Sequence, residues 1–361
     1  MNATRRLHDV GQSLWLDNIS RPLLTSGTLQ RYLDEFSLTG LTSNPTIFDH
    51  AIGQTDFYDE AIRPKLREGK SGERLFFELA LEDLTQAADL FRPIHDATGG
   101  RDGWVSLEVS PLLAEDAAST LDQARALHGR AGRPNLFVKI PGTRAGLPAI
   151  EAAVFAGVPV NVTLLFSREH YLAAADAYLR AIERRIAAGL DSRVASVASV
   201  FISRWDQAVL GKVPEGLRGR LGIAIAKRTY KAYRDLLASP RWERLAAAGA
   251  RAQRLLFAST GTKDPKASDV LYVEALAAAG TIDTMPEATL LAFAEHGKVG
   301  DLLPPDGGDA EPVLARFTAE GVDLLALAAQ LQREGAEAFV ASWMDLMSRL
   351  ASKAEVLRQT A

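Results

Sequence analysis

The sequence predicts an α/β protein folded as a closed (β/α)8 TIM barrel, and three observations lead there. Eight short runs rich in Val, Ile, Leu and Phe recur along the chain. Longer Ala/Leu/Arg/Glu segments with helical spacing separate them. Over 361 residues, eight strand-helix repeats favour a closed barrel over the alternative, an open doubly wound sheet.

The candidate strands are 14–19, 37–42, 104–109, 135–140, 158–166, 194–203, 254–259 and, more weakly, 281–285. Helical patterns fill 72–93, 114–128, 147–156, 167–188, 206–212 with 221–237, and 268–279. The stretch from Pro45 to Gly103, between strands two and three, should hold extra helices, because a structureless loop of that size is unusual. After Asp301 the chain is broken by Pro304, Pro305, Gly307 and Gly308 and then reads as amphipathic helix through Leu357. With no convincing linker, the chain is read as one domain, 1–361, in which 301–361 is a C-terminal helical extension packed on the barrel.

Composition narrows the function. At 47% hydrophobic and 24% charged, the chain affords a sizeable core. A net charge of -4, without Lys/Arg blocks among aromatics, argues against nucleic acid as a partner. With no cysteine, disulfides, thiolate metal sites and cysteine nucleophiles are excluded. No stretch approaches the roughly 20 apolar residues of a membrane span, and residues 1–14 lack the continuous apolar core of a leader. The expectation is a soluble cytoplasmic protein without a membrane partner; monomer and homodimer both stay open.

Strand alternation then separates two faces. Val105, Leu107 and Val109 oppose Ser106, Glu108 and Ser110; Leu136, Val138 and Ile140 oppose Phe137 and Lys139; Val160, Val162 and Leu164 oppose Asn161 and Thr163. In a barrel the apolar set meets the helices and the polar set points inward. Asp17 ends the first strand, and Thr42 with Asn44 ends the second, at the carboxyl ends where barrel enzymes build their sites.

Lys139 is the main clue to chemistry. Desolvating an amine without a partner favours its neutral, nucleophilic form, which condenses with a ketone or aldehyde. A strand-end lysine can also snorkel to water or pair with a carboxylate. The surrounding inward polar set, costly unless mutually satisfied, tips the reading toward a reactive site.

A phosphate grip is also visible. Ser259-Thr260-Gly261-Thr262-Lys263 follows the seventh strand, where barrels bind phosphate with backbone donors and hydroxyls. Arg204 follows the sixth strand and offers a forked pair of donors. The six histidines show no metal-ligand spacing, and P-loop and dinucleotide fingerprints are missing, so neither a metal nor a nucleotide cofactor is called for. Asp49-His50 reads as a helix-start pair with no catalytic role.

These segments carry a resemblance. Leu41-Thr42-Ser43-Asn44-Pro45-Thr46-Ile47-Phe48 resembles the Thr-Ser-Asn-Pro signature of transaldolases, and Phe137-Val138-Lys139-Ile140-Pro141-Gly142-Thr143 with Gly146 resembles their lysine signature. Leu16-Asp17-Asn18, the third strand and Asn161-Val162-Thr163-Leu164-Leu165-Phe166-Ser167 agree in order and spacing, and the length is similar to the longer bacterial form. The resemblance implies a metal-independent transferase of the pentose phosphate pathway that moves a dihydroxyacetone unit between sugar phosphates through a Schiff base on Lys139. It implies catalytic roles for Asp17, Glu108 and Thr163. Substrate binding would fall to Thr42, Asn44, Asn161, Ser199, Phe201, Arg204, Ser259 and Lys263.

Two departures matter. Shorter transaldolases have a Ser-Pro-Phe stretch and an arginine after the seventh strand, whereas this chain has Ser199-Val200-Phe201 and Thr262-Lys263, and a lysine binds phosphate without bidentate geometry. Fructose 6-phosphate aldolases, the nearest alternative, carry glutamine and tyrosine where this sequence has Glu108 and Phe201. A barrel that binds sugar phosphates without turning them over is the non-catalytic alternative.

Overall fold

In the computed structural model, eight parallel strands close in sequence order: β1 (Ser13–Asp17), β2 (Leu38–Thr42), β3 (Trp104–Glu108), β4 (Leu136–Pro141), β5 (Val160–Leu165), β6 (Ser196–Phe201), β7 (Arg254–Ala258) and β8 (Ile282–Met285), the last pairing with β1. The structure describes residues 2–53 and 55–359. Met1, Gln54, Thr360 and Ala361, which the domain boundaries 1–361 include, lie outside the described residues.

Period-two alternation divides the apolar core as expected except at Leu164, which was read with Val160 and Val162 but, at φ 59°, belongs to the other cluster. Leu14, Leu16, Leu41, Val105, Leu107, Val138, Ile140, Val160 and Val162 belong to the cluster between strands and helices. Trp15, Trp104, Phe137, Val197, Leu256 and Ile282 form a second cluster inside the barrel. The Trp104 and Phe137 rings stack there at 4.0 Å. Gly40 makes room for them: a Cβ would lie 2.6 Å from the Trp15 indole and 2.7 Å from the Trp104 carbonyl oxygen. With the lower barrel filled by aromatic rings, the polar inward residues above them form the floor of an open site.

The expected extra helices between β2 and β3 are Pro45–Phe48, Asp59–Arg67 and Gly72–Ala97. The last runs past Pro93, where sequence reasoning ended it. Pro93 is exposed, so water can satisfy the carbonyl its ring deprives of a partner. The helix expected at 114–128 is Ala117–Ala131; it starts where Asp116 caps Ser119 N at 3.0 Å and stops at Gly132 with φ 57°. The helix expected at 268–279 shrinks to Leu271–Ala275, and Ala277 instead accepts a backbone hydrogen bond from Leu303. Short helices at Ala3–Asp9, Arg21–Thr25, Thr28–Phe36, Pro240–Ala247 and Glu287–His296 were not anticipated.

The tail forms two helices rather than one, Ala310–Ala319 and Leu324–Gln359, because Gly321 turns the chain at φ 84° and Asp323 caps the next helix through the amides of Leu325 and Ala326. This C-terminal helix crosses the barrel mouth and continues over the insert, where Trp343 meets Phe76 at 5.0 Å and Arg349 pairs with Asp49 at 3.1 Å. Among the described residues, no helix is long and apolar enough to cross a membrane.

Candidate active site

A cavity of about 640 Å³ opens at the carboxyl ends of the strands. Asp17, Thr42, Asn44, Lys139, Thr163, Ser199, Phe201, Arg204, Ser259 and Lys263 line it. Glu108 and Asn161, also expected in the site, are not among the lining residues and lie buried, at 5% and 0% exposure.

Register brings the central groups together. Glu108 faces Lys139 across β3 and β4, and Lys139 faces Asn161 across β4 and β5. Lys139 Nζ lies 3.2 Å from Glu108 Oε2 and donates to the Ser43 carbonyl at 3.1 Å. Lys139 is therefore desolvated, as expected, but not without a partner. Burial pushes the Glu108 carboxyl up to about 7, although Lys139 pulls the other way. Glu108 Oε2 meets Lys139, whereas Glu108 Oε1 and Thr163 Oγ1 are buried without a hydrogen-bond partner among the described residues. Buried polar atoms seldom stay unpaired, so these mark a place for a ligand or water.

Asp17 sits across the floor. Thr42 Oγ1 donates to Asp17 Oδ1 at 2.7 Å and meets Thr284 Oγ1 at 2.8 Å. A hydroxyl has one proton, so with Thr42 donating to Asp17, Thr284 must donate to Thr42. Burial raises the Asp17 carboxyl above its usual range, opposed by Lys139, the Thr42 hydrogen bond, Lys263 and Arg204. Beneath the opposite wall, Asn161 is fixed at both ends. Its Nδ2 donates to Ser106 Oγ at 3.1 Å, and its Oδ1 accepts from Ser199 Oγ at 2.7 Å.

Local sequence explains how the rim is held. Asn44 caps the helix Pro45–Phe48, accepting from Ile47 N at 3.0 Å, with Pro45 at its first position. After β4 the chain turns tightly: a Cβ on Gly142 would lie 2.4 Å from Leu165 Cδ2, and one on Gly146 would lie 2.1 Å from the Pro141 carbonyl oxygen. Arg204 is the second residue of the helix Ser203–Val209 and places its guanidinium 5.2 Å from the Phe201 ring centroid. Burial works against its charge, which Glu334 and Asp17 support. Lys263 is exposed at the mouth beside Ser259, a residue at φ 57°. Two further cations, Arg204 and Lys263, thus line the same cavity as Lys139, and all three bear on Asp17.

Several wall residues escaped sequence reasoning. Phe339 and Glu334 come from the C-terminal helix, and His50 from a π-helical turn at Asp49–Gly53. Thr284 was legible in principle, as the inward neighbour of Asp283 on β8. The Ser43 carbonyl and the C-terminal residues left no local signal.

Comparison with known proteins agrees with this geometry. Residues 14–350 match the family model described as transaldolase/fructose-6-phosphate aldolase. A transaldolase of Parafrankia sp. (strain EAN1pec) is 46% identical over 353 residues, covering 95% of this chain and 96% of its own. Transaldolases of Thermobifida fusca, 45% identical over 97% of each chain, and Thiobacillus denitrificans, 43% identical over 97% of this chain and 100% of its own, are also similar. Sequence, fold and strand-end geometry agree: the chain belongs to the transaldolase/fructose-6-phosphate aldolase family.

Proposed function

We propose that the protein is a transaldolase, transferring a dihydroxyacetone unit from a ketose phosphate such as sedoheptulose 7-phosphate or fructose 6-phosphate to an aldose phosphate such as glyceraldehyde 3-phosphate or erythrose 4-phosphate. The observation that carries the reading is the buried Lys139 amine, 3.2 Å from Glu108, in a cavity that Arg204 and Lys263 also line. An amine for the carbonyl and cations for the phosphate suit the two ends of one substrate.

Lys139, as the free amine, attacks C2 of the ketose, and one of its N–H protons passes to the C2 oxygen to give a carbinolamine. Glu108, through a water held with Thr163, protonates the carbinolamine hydroxyl, which leaves as water to give an iminium. Asp17 takes the proton of the C4 hydroxyl as the C3–C4 bond breaks. The bond's electron pair moves into the iminium to form an enamine, and the first aldose phosphate departs. The acceptor aldehyde then meets the enamine carbon, and the steps run in reverse. Thr42 orients Asp17, Asn161 and Ser199 form a linked amide and hydroxyl beside the three-carbon fragment, and Asn44, Phe201 and Ser259 shape the walls. No step calls for a metal or organic cofactor.

Residues 1–361 act as a single catalytic unit, since the tail contributes Phe339 and Glu334 to the cavity wall. Phosphorylated sugars do not cross membranes freely, which supports action in the cytoplasm.

Borohydride reduction in the presence of fructose 6-phosphate, followed by peptide mapping, tests the chemistry: a three-carbon adduct should appear on Lys139 and be absent from Lys139→Ala. Binding without an adduct would sink it in favour of a non-catalytic sugar-phosphate barrel. Dihydroxyacetone release unaffected by an acceptor aldose phosphate would indicate an aldolase.

A further inference from the structure

The C-terminal helix does more than cover the barrel. Gln332, Gly335 and Phe339 are spaced i, i+3 and i+7, so they share one helix face. Gln332 Nε2 donates to the Leu164 carbonyl at 2.9 Å and to the Gly142 carbonyl at 3.2 Å. These carbonyls lie at the ends of the strands that carry Thr163 and Lys139. Leu164 holds φ 59°, a left-handed conformation uncommon for leucine. Gly335 permits the close approach: a Cβ there would sit 3.0 Å from Leu164 Cδ2 and 3.1 Å from an Arg204 guanidinium nitrogen. Anchored at these points, the helix sets Phe339 in the cavity wall at 5% exposure, with its ring centroid 5.6 Å from Lys139 Nζ.

We infer that Phe339 is a shielding residue that keeps water and proton donors from the three-carbon intermediate on Lys139, and thereby sets how the intermediate divides between transfer and release. This rests on the Schiff-base reading above. The enamine has two fates. Its carbon can bond to the acceptor aldehyde, whose oxygen takes a proton. Alternatively the same carbon takes a proton to give an iminium; water then adds at C2, the C–N bond breaks, and free dihydroxyacetone leaves as the lysine amine is restored. Both routes end in hydrolysis of an iminium, so they part at the enamine carbon, where an apolar ring beside the nitrogen keeps off the water that would carry a proton to it. The same ring face attracts the cationic iminium on the transfer path.

Phe339→Leu and Phe339→Ala test this with fructose 6-phosphate, with and without glyceraldehyde 3-phosphate, reading free dihydroxyacetone formed per transfer together with borohydride labelling of Lys139. Labelling should persist while the release-to-transfer ratio rises, roughly tenfold for alanine and less for leucine. Should the alanine variant not fold, the leucine variant carries the comparison. An unchanged ratio with labelling intact overturns the inference, as does loss of labelling in folded variants, which would place Phe339 in imine formation instead. Failure of the unsubstituted protein to label would overturn the Schiff-base reading itself.

Discussion

Glu108 and Lys139 are register partners on adjacent strands, and Lys139 Nζ comes within 3.2 Å of Glu108 Oε2 while both side chains are almost wholly withdrawn from solvent. A carboxyl held near 7 can both give and accept a proton at neutral pH, which a carboxyl at its ordinary value cannot do efficiently. Glu108→Gln should therefore lower kcat about 10²–10⁴-fold, the usual range for a lost proton shuttle. Carbinolamine dehydration needs the protonated acid, so kcat/KM of the parent should decline as pH rises through about 7. That limb should vanish in the glutamine variant; a pH-rate profile retaining it would assign the titration elsewhere.

Asp17 and Lys139 serve different steps. Asp17→Asn keeps a group that can accept the Thr42 hydrogen bond but loses the base. Borohydride labelling of Lys139 by fructose 6-phosphate should survive, now trapping the intact six-carbon adduct, while cleavage falls at least about 10²-fold. Mass measurement of the labelled peptide distinguishes the six-carbon from the three-carbon adduct.

Arg204 lines the cavity beside Phe201 and is the proposed phosphate ligand. Losing charge-assisted hydrogen bonds of roughly 2–3 kcal/mol should raise KM about 30–160-fold in Arg204→Ala with a smaller change in kcat. Steady-state kinetics with a phosphorylated and an unphosphorylated ketose would check it, because the variant's deficit should disappear for the unphosphorylated sugar.

Gly40→Ala tests the barrel interior. The added Cβ would stand 2.6 Å from the Trp15 indole and 2.7 Å from a backbone oxygen, with aromatic neighbours that cannot yield. Overpacking of this kind costs about 1–3 kcal/mol, to be read as a lower denaturation midpoint.

Asp283 gives a stability test with a defined sign. It is buried, accepts from Thr260 Oγ1 at 2.7 Å through one oxygen, and burial pushes it from 3.8 up to about 7. Below pH 3.8 folded and unfolded chains both hold the proton. Between there and about 7 the unfolded chain releases it while the folded chain keeps it, so this residue's contribution to stability falls with rising pH and levels off above 7. Asp283→Asn should remove that trend, gaining at most about 4 kcal/mol over the parent above pH 7 and little near pH 4. Denaturation at both pH values checks it.

Strand alternation placed Glu108, Lys139, Asn161 and Thr163 on the inward face because the two-residue period is a property of the backbone and needs no partner. Asp17, Thr42, Arg204 and Lys263 were legible for a related reason: they follow apolar runs whose ends must meet at one rim once the barrel closes. Helix limits were read less well where one side chain or contact decided them, as at the Asp116 cap, at exposed Pro93 and at Ala277.

The sequence by itself determined the barrel, the lysine-bearing strand and the polar lining, since each follows from local pattern and motif. Only the tertiary structure decided that Lys139 meets Glu108 and the Ser43 carbonyl, that Asn161 is fixed between Ser106 and Ser199, and that Phe339 roofs the amine. These pairings join residues far apart in the chain. Their distances depend on barrel closure and on where the C-terminal helix comes to rest, which no local period encodes.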